Sequence, residues 1–395
     1  MFKPLPIYFF CLLITGQVSA QSYNTDNTYS EGVKLKNEQR YSEALNAFKN
    51  AIDKNPDNPD ALFEAGWLCN ELKDYDNAIN YLQEAKQLKP SPNIYFELGY
   101  AYENLGRKNE AKENYKISLE LFPKYYDADK HLGDIFYSEE NYTMALNYYR
   151  KYFETTKTPD TYYYYKAGKC ANDLKDYVDA LLYLEKYEPN TRKDFAIKYA
   201  ETGYAYFMTG YNDDAVSAYQ KALDANPTYG VALRGLADVY YNNLEDYNKA
   251  LEYFNLALQN DEENSKDCYY KAGWIYVNQQ KYNEATAVLE KAADYDAKDV
   301  NTREQLGYAY FMQNKYDEAI NQFNKAIEMD NESRVSYFYN GLCYASLNQK
   351  TNAMAAYGQL KQINKDDAEK LLKEIKQKEK MQKSLASNAS RKEDS

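Results

Sequence analysis

Histidine is almost missing from this chain: His131 is the single one in 395 residues. One imidazole without a spaced partner offers neither a metal ligand set nor a base-and-orienter pair, so His131 reads as incidental to a helix. No CxxC, HExxH, phosphate-cradling glycine loop or nucleophile elbow occurs anywhere. The acidic pairs Glu139-Glu140 and Glu262-Glu263 read as solvated loops. The expectation is a chain with no catalytic residue, no metal site and no cofactor.

Long apolar runs are equally scarce. The one candidate, Ile7 to Ile14, is too short to span a bilayer comfortably. Lys3 precedes it and Val18-Ser19-Ala20 follows, the pattern of a secretory signal over residues 1–20 cut after Ala20. The mature chain is then expected to start at Gln21 and to be exported, into a periplasm, a cell envelope or the medium, without a transmembrane segment. Cysteine is sparse too. Cys11 lies inside the apolar run instead of at its end, which argues against a lipid-modified cysteine. Cys69, Cys170, Cys268 and Cys343 stand far apart in sequence and are expected to be buried free thiols.

Positive charge is in deficit, with a formal net charge of −12. Residues from Lys365 onward carry nine basic and seven acidic side chains, so the acidity lies upstream of them. Such a surface disfavours nucleic acid and anionic membranes. It is compatible with a basic partner, but simple solubility is the reading that needs less.

What is present is periodic. Gly32, Gly66, Gly99, Gly133, Gly168, Gly203, Gly273, Gly307 and Gly341 recur at intervals of 33 to 35 residues, with Ala237 near the middle of one 70-residue gap. Twelve residues after each glycine stands an alanine: Ala44, Ala78, Ala111, Ala145, Ala180, Ala215, Ala285, Ala319 and Ala353. After Ala237 the interval is thirteen, ending at Ala250. A fixed period of this size indicates stacked small units rather than one core. Around Gly99, the residues Tyr95, Leu98 and Tyr102 share one helical face, and Ala111, Tyr115 and Ser118 repeat the pattern in a second helix. Pro56, Pro90, Pro123 and Pro227 then stop several units. Each unit reads as helix, turn, helix.

A mid-helix glycine costs roughly 0.8–1 kcal/mol against alanine, so nine cost about 8 kcal/mol, comparable to a whole domain's stability. The compensation expected here is close approach of two helix backbones, with the alanines as the other half of the contact.

The run Tyr95, Leu98-Gly99, Tyr102, Ala111, Tyr115, Pro123 resembles the tetratricopeptide repeat signature. The resemblance covers about Thr25 to Ile363. It implies an all-α fold: a right-handed superhelical solenoid of about ten helix-turn-helix units over residues 21–363. The units fall near 25–58, 59–91, 92–125, 126–160, 161–195, 196–229, 230–265, 266–299, 300–333 and 334–363. Leu371, Leu372 and Ile375 then give 364–383 the pattern of a capping helix, and 384–395 reads as a disordered tail. Connectors near Thr155–Asp160 and Glu188–Asp194 are places where the stacking could bend.

Tyrosine is the excess residue, 46 in all. Tyr41, Tyr75, Tyr142, Tyr177, Tyr247, Tyr282 and Tyr316 each precede a second-helix alanine by three residues and are expected to plug the junction between turn and helix. A second aromatic set follows the first helices: Phe63, Trp67, Phe96, Tyr100, Tyr162, Tyr165, Tyr204, Phe207, Tyr270, Trp274, Tyr308, Phe311 and Phe338. The family resemblance places first helices on the concave face, which makes these rings the expected partner-binding groove, able either to anchor a protein segment or to stack on sugars. Packing against the neighbouring unit is the alternative for each ring. Members that grip a C-terminal carboxylate need lysines and asparagines there; Lys130 and Lys169 qualify, but Asp134 and aromatics stand where the asparagines belong. The expected role is an exported scaffold for protein–protein interaction, with glycan binding through the same rings as the second reading.

Overall fold

The computed structural model describes residues 27–393, so the signal over 1–20 and the lead-in that follows lie outside the described residues. Those residues form 21 α-helices and no strand. They fall into two compact units divided between Lys157 and Thr158, within the first of the two connectors.

The first unit holds four hairpins: α1 (Asn27–Asn37) with α2 (Tyr41–Lys54), α3 (Pro59–Glu71) with α4 (Tyr75–Leu88), α5 (Pro92–Asn104) with α6 (Lys108–Leu121), and α7 (Tyr126–Ser138) with α8 (Tyr142–Thr155). The second unit holds six more. They are α9 (Tyr162–Asp173) with α10 (Tyr177–Lys186), α11 (Arg192–Thr209) with α12 (Asn212–Ala225), and α13 (Gly230–Asn242) with α14 (Tyr247–Asn260). Then come α15 (Cys268–Asn278) with α16 (Tyr282–Tyr295), α17 (Val300–Met312) with α18 (Tyr316–Met329), α19 (Arg334–Ser346) with α20 (Lys350–Ile363), and finally α21 (Lys365–Glu393).

Local chemistry sets the ends. Asn58 caps α3 by accepting from the amides of Asp60 and Ala61, and Pro59 opens the helix where no N–H is needed. Pro56, Pro90, Pro123 and Pro227 each stand two residues beyond a second helix. First helices end on a left-handed residue: Gln39, Lys73, Gly106, Glu140, Lys175, Gly210, Glu245, Gln280, Asn314 and Asn348, with φ between 54° and 81°. The amide after it reaches back five residues, as from Arg40 to Leu35 O (2.9 Å) and Asp74 to Cys69 O (2.8 Å), closing the helix with a Schellman-type bond. Nine of these ten sit seven residues after the unit's glycine. Glu245 sits eight after Ala237, which locates that unit's extra residue at the end of α13.

The periodic alanines, from Ala44 to Ala353, are all fully buried. The nearest obstacle to a side chain at these glycines is another side chain, ahead of the expected backbone contact. A Cβ added at Gly32, Gly66, Gly99, Gly133, Gly168, Gly203, Gly273 or Gly307 would lie 2.5–2.9 Å from a bulky side chain sixteen residues on. Those side chains are Phe48, Leu82, Tyr115, Tyr149, Leu184, Tyr219, Leu289 and Phe323, each no more than 2% exposed. At Gly66 and Gly168 the carbonyl of the periodic alanine, Ala78 or Ala180, also approaches, at 3.3 Å. The glycine is thus a seat for the second helix's largest core residue, because a ring needs the full depth of the groove that a missing Cβ leaves.

Gly341 follows another rule: its neighbour is Leu371, from α21. Ala368, Leu371 and Ile375 are buried, so α21 covers the open side of the last hairpin. It also runs past the expected end at 383, continuing to Glu393 through residues read as a disordered tail. The reason is local: neither proline nor glycine occurs after Gly358, and lysine, glutamate and alanine sustain the helix. Cys69, Cys170, Cys268 and Cys343 are free and fully buried, and burial pushes their thiols up to about 11 for Cys69 and about 12 for the rest. They are inert packing groups.

Candidate functional site

The aromatic set on the first helices occupies several registers. The residue after the glycine is Trp67, Tyr100, Tyr204, Trp274 or Tyr308. Each of these rings meets the junction tyrosine of the preceding hairpin. The centroid distances are 5.8 Å for Trp67 with Tyr41, 6.4 Å for Tyr100 with Tyr75, and 6.0 Å for Tyr204 with Tyr177. Trp274 lies 5.5 Å from Tyr247, and Tyr308 lies 6.4 Å from Tyr282. All five contacts are edge-on, the arrangement ring quadrupoles favour. The junction tyrosines therefore couple neighbouring hairpins, and the rings facing them do structural duty on one edge while staying partly open to solvent.

The other candidate residues divide. Phe96 is core, packed among Tyr115, Tyr125 and His131. Tyr165 and Tyr162 cluster with Tyr187, and Tyr162 is exposed. Phe207 and Tyr270 are half-buried against the apolar clusters of their hairpins. Phe311 packs on Tyr316 and Tyr339. Phe63 is half-buried. Phe338 lines an open cleft of roughly 490 Å³ with Arg334, Val335, Tyr339, Asp367 and Lys370. Lys130 and Lys169, the two groove-type lysines, are already engaged by Asp127 (2.9 Å) and Glu201 (3.3 Å).

A polar arrangement beside the rings was not foreseen. At four junctions the residue four after one glycine meets the residue two before the next, forming a polar rung between adjacent first helices. In the first unit, Lys36 Nζ lies 2.5 Å from Glu64 Oε2 and 4.7 Å from the Trp67 ring centroid. On the next rung, Asn70 Nδ2 donates to Glu97 Oε2 (2.8 Å) and Glu97 O (3.0 Å). On the third, His131 Nδ1 lies 2.8 Å from Glu103 Oε2, which also accepts from Tyr115 Oη at 2.7 Å. The His131 ring stacks on Tyr115 at 5.2 Å, so the chain's one histidine is a packed inter-repeat residue. In the second unit, Asn172 Nδ2 bonds Glu201 in the same way, at 2.9 Å. The sequence signal was available as polar residues recurring at those two offsets, but the identities change from rung to rung and hide it.

Glu97 is 7% exposed, and burial pushes its carboxyl up to about 7, with the Asn70 hydrogen bond opposing and Glu71 adding repulsion. Its folded pKa exceeds the unfolded 4.5, so the folded state holds its proton more tightly. Any stability that proton supplies is complete below pH 4.5 and is lost as pH rises through 7. Glu97→Gln is therefore expected to raise stability by about 1–3 kcal/mol at pH 8 and to be near neutral at pH 4. Urea midpoints at both pH values check this; equal shifts at the two would refute it. Among the described residues no group of three or more metal-ligating side chains occurs, and no helix is long and apolar enough to cross a membrane.

Family models of the tetratricopeptide repeat match residues 29–92, 201–265 and 305–368, and a second form matches 92–125. A model for anaphase-promoting complex, cyclosome, subunit 3 matches 243–326. The chain is 24% identical over 321 residues to a TPR repeat-containing protein of Methanocaldococcus jannaschii, covering 68% of this chain and 51% of that one. It is 23% identical over 307 residues to anaphase-promoting complex subunit 3 of Schizosaccharomyces pombe, covering 74% and 45%. The chain thus spans about half the length of these curated relatives. Among solved structures, YrrB, described as a TPR protein with an unusual peptide-binding site, is 26% identical over 45% of this chain and 92% of its own, at a TM-score of 0.43.

Proposed function

Because the chain belongs to the tetratricopeptide repeat family, we propose that it is an exported, non-catalytic scaffold that holds a segment of another protein on its first-helix face. The observation that carries this reading is partly open rings at one repeat register within each unit: Trp67 and Tyr100 in the first, Tyr204, Trp274 and Tyr308 in the second. Each is fixed by the tyrosine behind it, so a partner would meet large apolar area that is already ordered and loses little entropy on binding. Binding would be passive, with no bond made or broken. Export rests on the N-terminal signal pattern alone.

The test is capture of a protein from the native cell envelope by crosslinking and pull-down. Replacing Trp67, Tyr270 and Trp274 by alanine is expected to abolish capture while helicity by circular dichroism stays unchanged. Persistent capture by a folded triple variant would remove the rings from the site. Retention of the intact protein on glycan columns, lost in the variant, would instead assign the face to sugars.

A further inference from the structure

The first two rungs of the 27–157 unit share one construction, with the cation exchanged for an amide and the indole for a phenol ring. Lys36, Glu64 and Trp67 occupy the positions that Asn70, Glu97 and Tyr100 occupy one repeat later. At the first rung the chain supplies its own ammonium, held between a carboxylate and a ring face. At the second, a neutral amide replaces the lysine, and Glu97 is left with no cation paired to it. We propose that this second rung receives a lysine or arginine side chain from a basic segment of a partner protein, against Glu97 and beside Tyr100.

The surroundings favour that occupant. Glu71 and Asp127 disfavour the charged form of Glu97, and Lys36 on the preceding rung opposes them. The nearby cations are committed elsewhere, Lys36 to Glu64 and Lys130 to Asp127. Asn70, 3% exposed, turns its amide nitrogen to the carboxylate, and its Oδ1 is buried without a hydrogen-bond partner. The rung thus has acceptors in excess of donors, the inverse of an arginine or lysine head group. A ring beside a carboxylate suits an organic cation, as Lys36 over Trp67 demonstrates within the chain itself. The corresponding rung of the second unit lacks the vacancy, because Lys169 already stands 3.3 Å from Glu201.

The inference rests on the scaffold reading and names the chemistry of its partner. The probe is a fluorescein-labelled twelve-residue Lys/Ala peptide, compared with a Glu/Ala peptide of equal length, titrated with the full chain at about pH 8 and about 50 mM salt. The basic peptide is expected to bind at least about tenfold more tightly than the acidic one. Asn70→Lys, which gives the rung an internal cation, and Glu97→Gln, which removes the charge, should each weaken it about fivefold or more with unchanged circular dichroism. Asn172→Lys adds the same charge at the rung that is already neutralised and should leave affinity within about twofold. Equal affinity for the two peptides would overturn the proposal, as would folded Asn70→Lys and Glu97→Gln proteins that bind like the parent. If the aromatic triple variant loses its native partner while Asn70→Lys keeps it, the scaffold reading stands and the basic-partner assignment falls.

Discussion

Gly99→Ala is expected to destabilise the protein, and Gly358→Ala to stabilise it, although both place the better helix former within a helix. Intrinsic propensity favours alanine by about 0.8–1 kcal/mol at either position. At Gly358 in α20 an added Cβ meets nothing within 4 Å, so the gain is realised. At Gly99 the same atom would sit 2.7, 2.8 and 3.0 Å from three Tyr115 ring atoms. That ring has no free direction: it is fully buried, bonded through its hydroxyl to Glu103 and stacked on His131. Overpacking of this kind costs about 1–3 kcal/mol, which exceeds the propensity gain, and Gly99→Val should cost more than Gly99→Ala. Urea midpoints of the two alanine variants moving in opposite directions would bear this out. A rise for Gly99→Ala would show that the ring is not seated on the glycine.

Leu371→Asp is expected to uncover the last hairpin. Leu371 lies fully buried over Gly341, with Ala368 and Ile375 completing the stripe that covers α19 and α20. Truncation to alanine should cost about 2–5 kcal/mol, and a buried carboxylate more. In a stacked array that cost falls on the neighbouring repeat before any other. Amide exchange should accelerate in α19–α21 and leave α11–α16 protected. Uniform acceleration throughout the unit, or none, would contradict the capping role.

Much of this architecture was legible in residue spacing. The period located ten hairpins, the alanines marked the buried face of each second helix, and Leu371 with Ile375 announced the cap. The glycine's nearest neighbour was not legible, because a small residue signals close approach without saying what approaches. Its neighbour sixteen residues on alternates among Phe, Leu and Tyr, which blurs the pattern that would have identified it. The candidate rings were partly legible. Phe96 looked like a groove residue but is core, since Tyr115 of α6, Tyr125 of the following turn and His131 of α7 converge on it, which helical periodicity cannot foresee. The Asn70–Glu97 rung stayed hidden for a different reason: its partners lie 27 residues apart, and the group facing the glutamate changes from lysine to asparagine to histidine on successive rungs.

Eight of the ten first-helix stops place a residue with a side chain in left-handed backbone: Gln39, Lys73, Glu140, Lys175, Glu245, Gln280, Asn314 and Asn348. That conformation penalises an L-residue by about 1–2 kcal/mol, while glycine returns part of the difference through its freer unfolded chain. The net strain at each turn is therefore a fraction of a kilocalorie to about one, and sites this far apart in the stack contribute nearly independently. Gly106 and Gly210 have already released it. The heat tolerance of the array is consequently adjustable in small, separable increments at its corners, without altering any ring, rung or buried alanine.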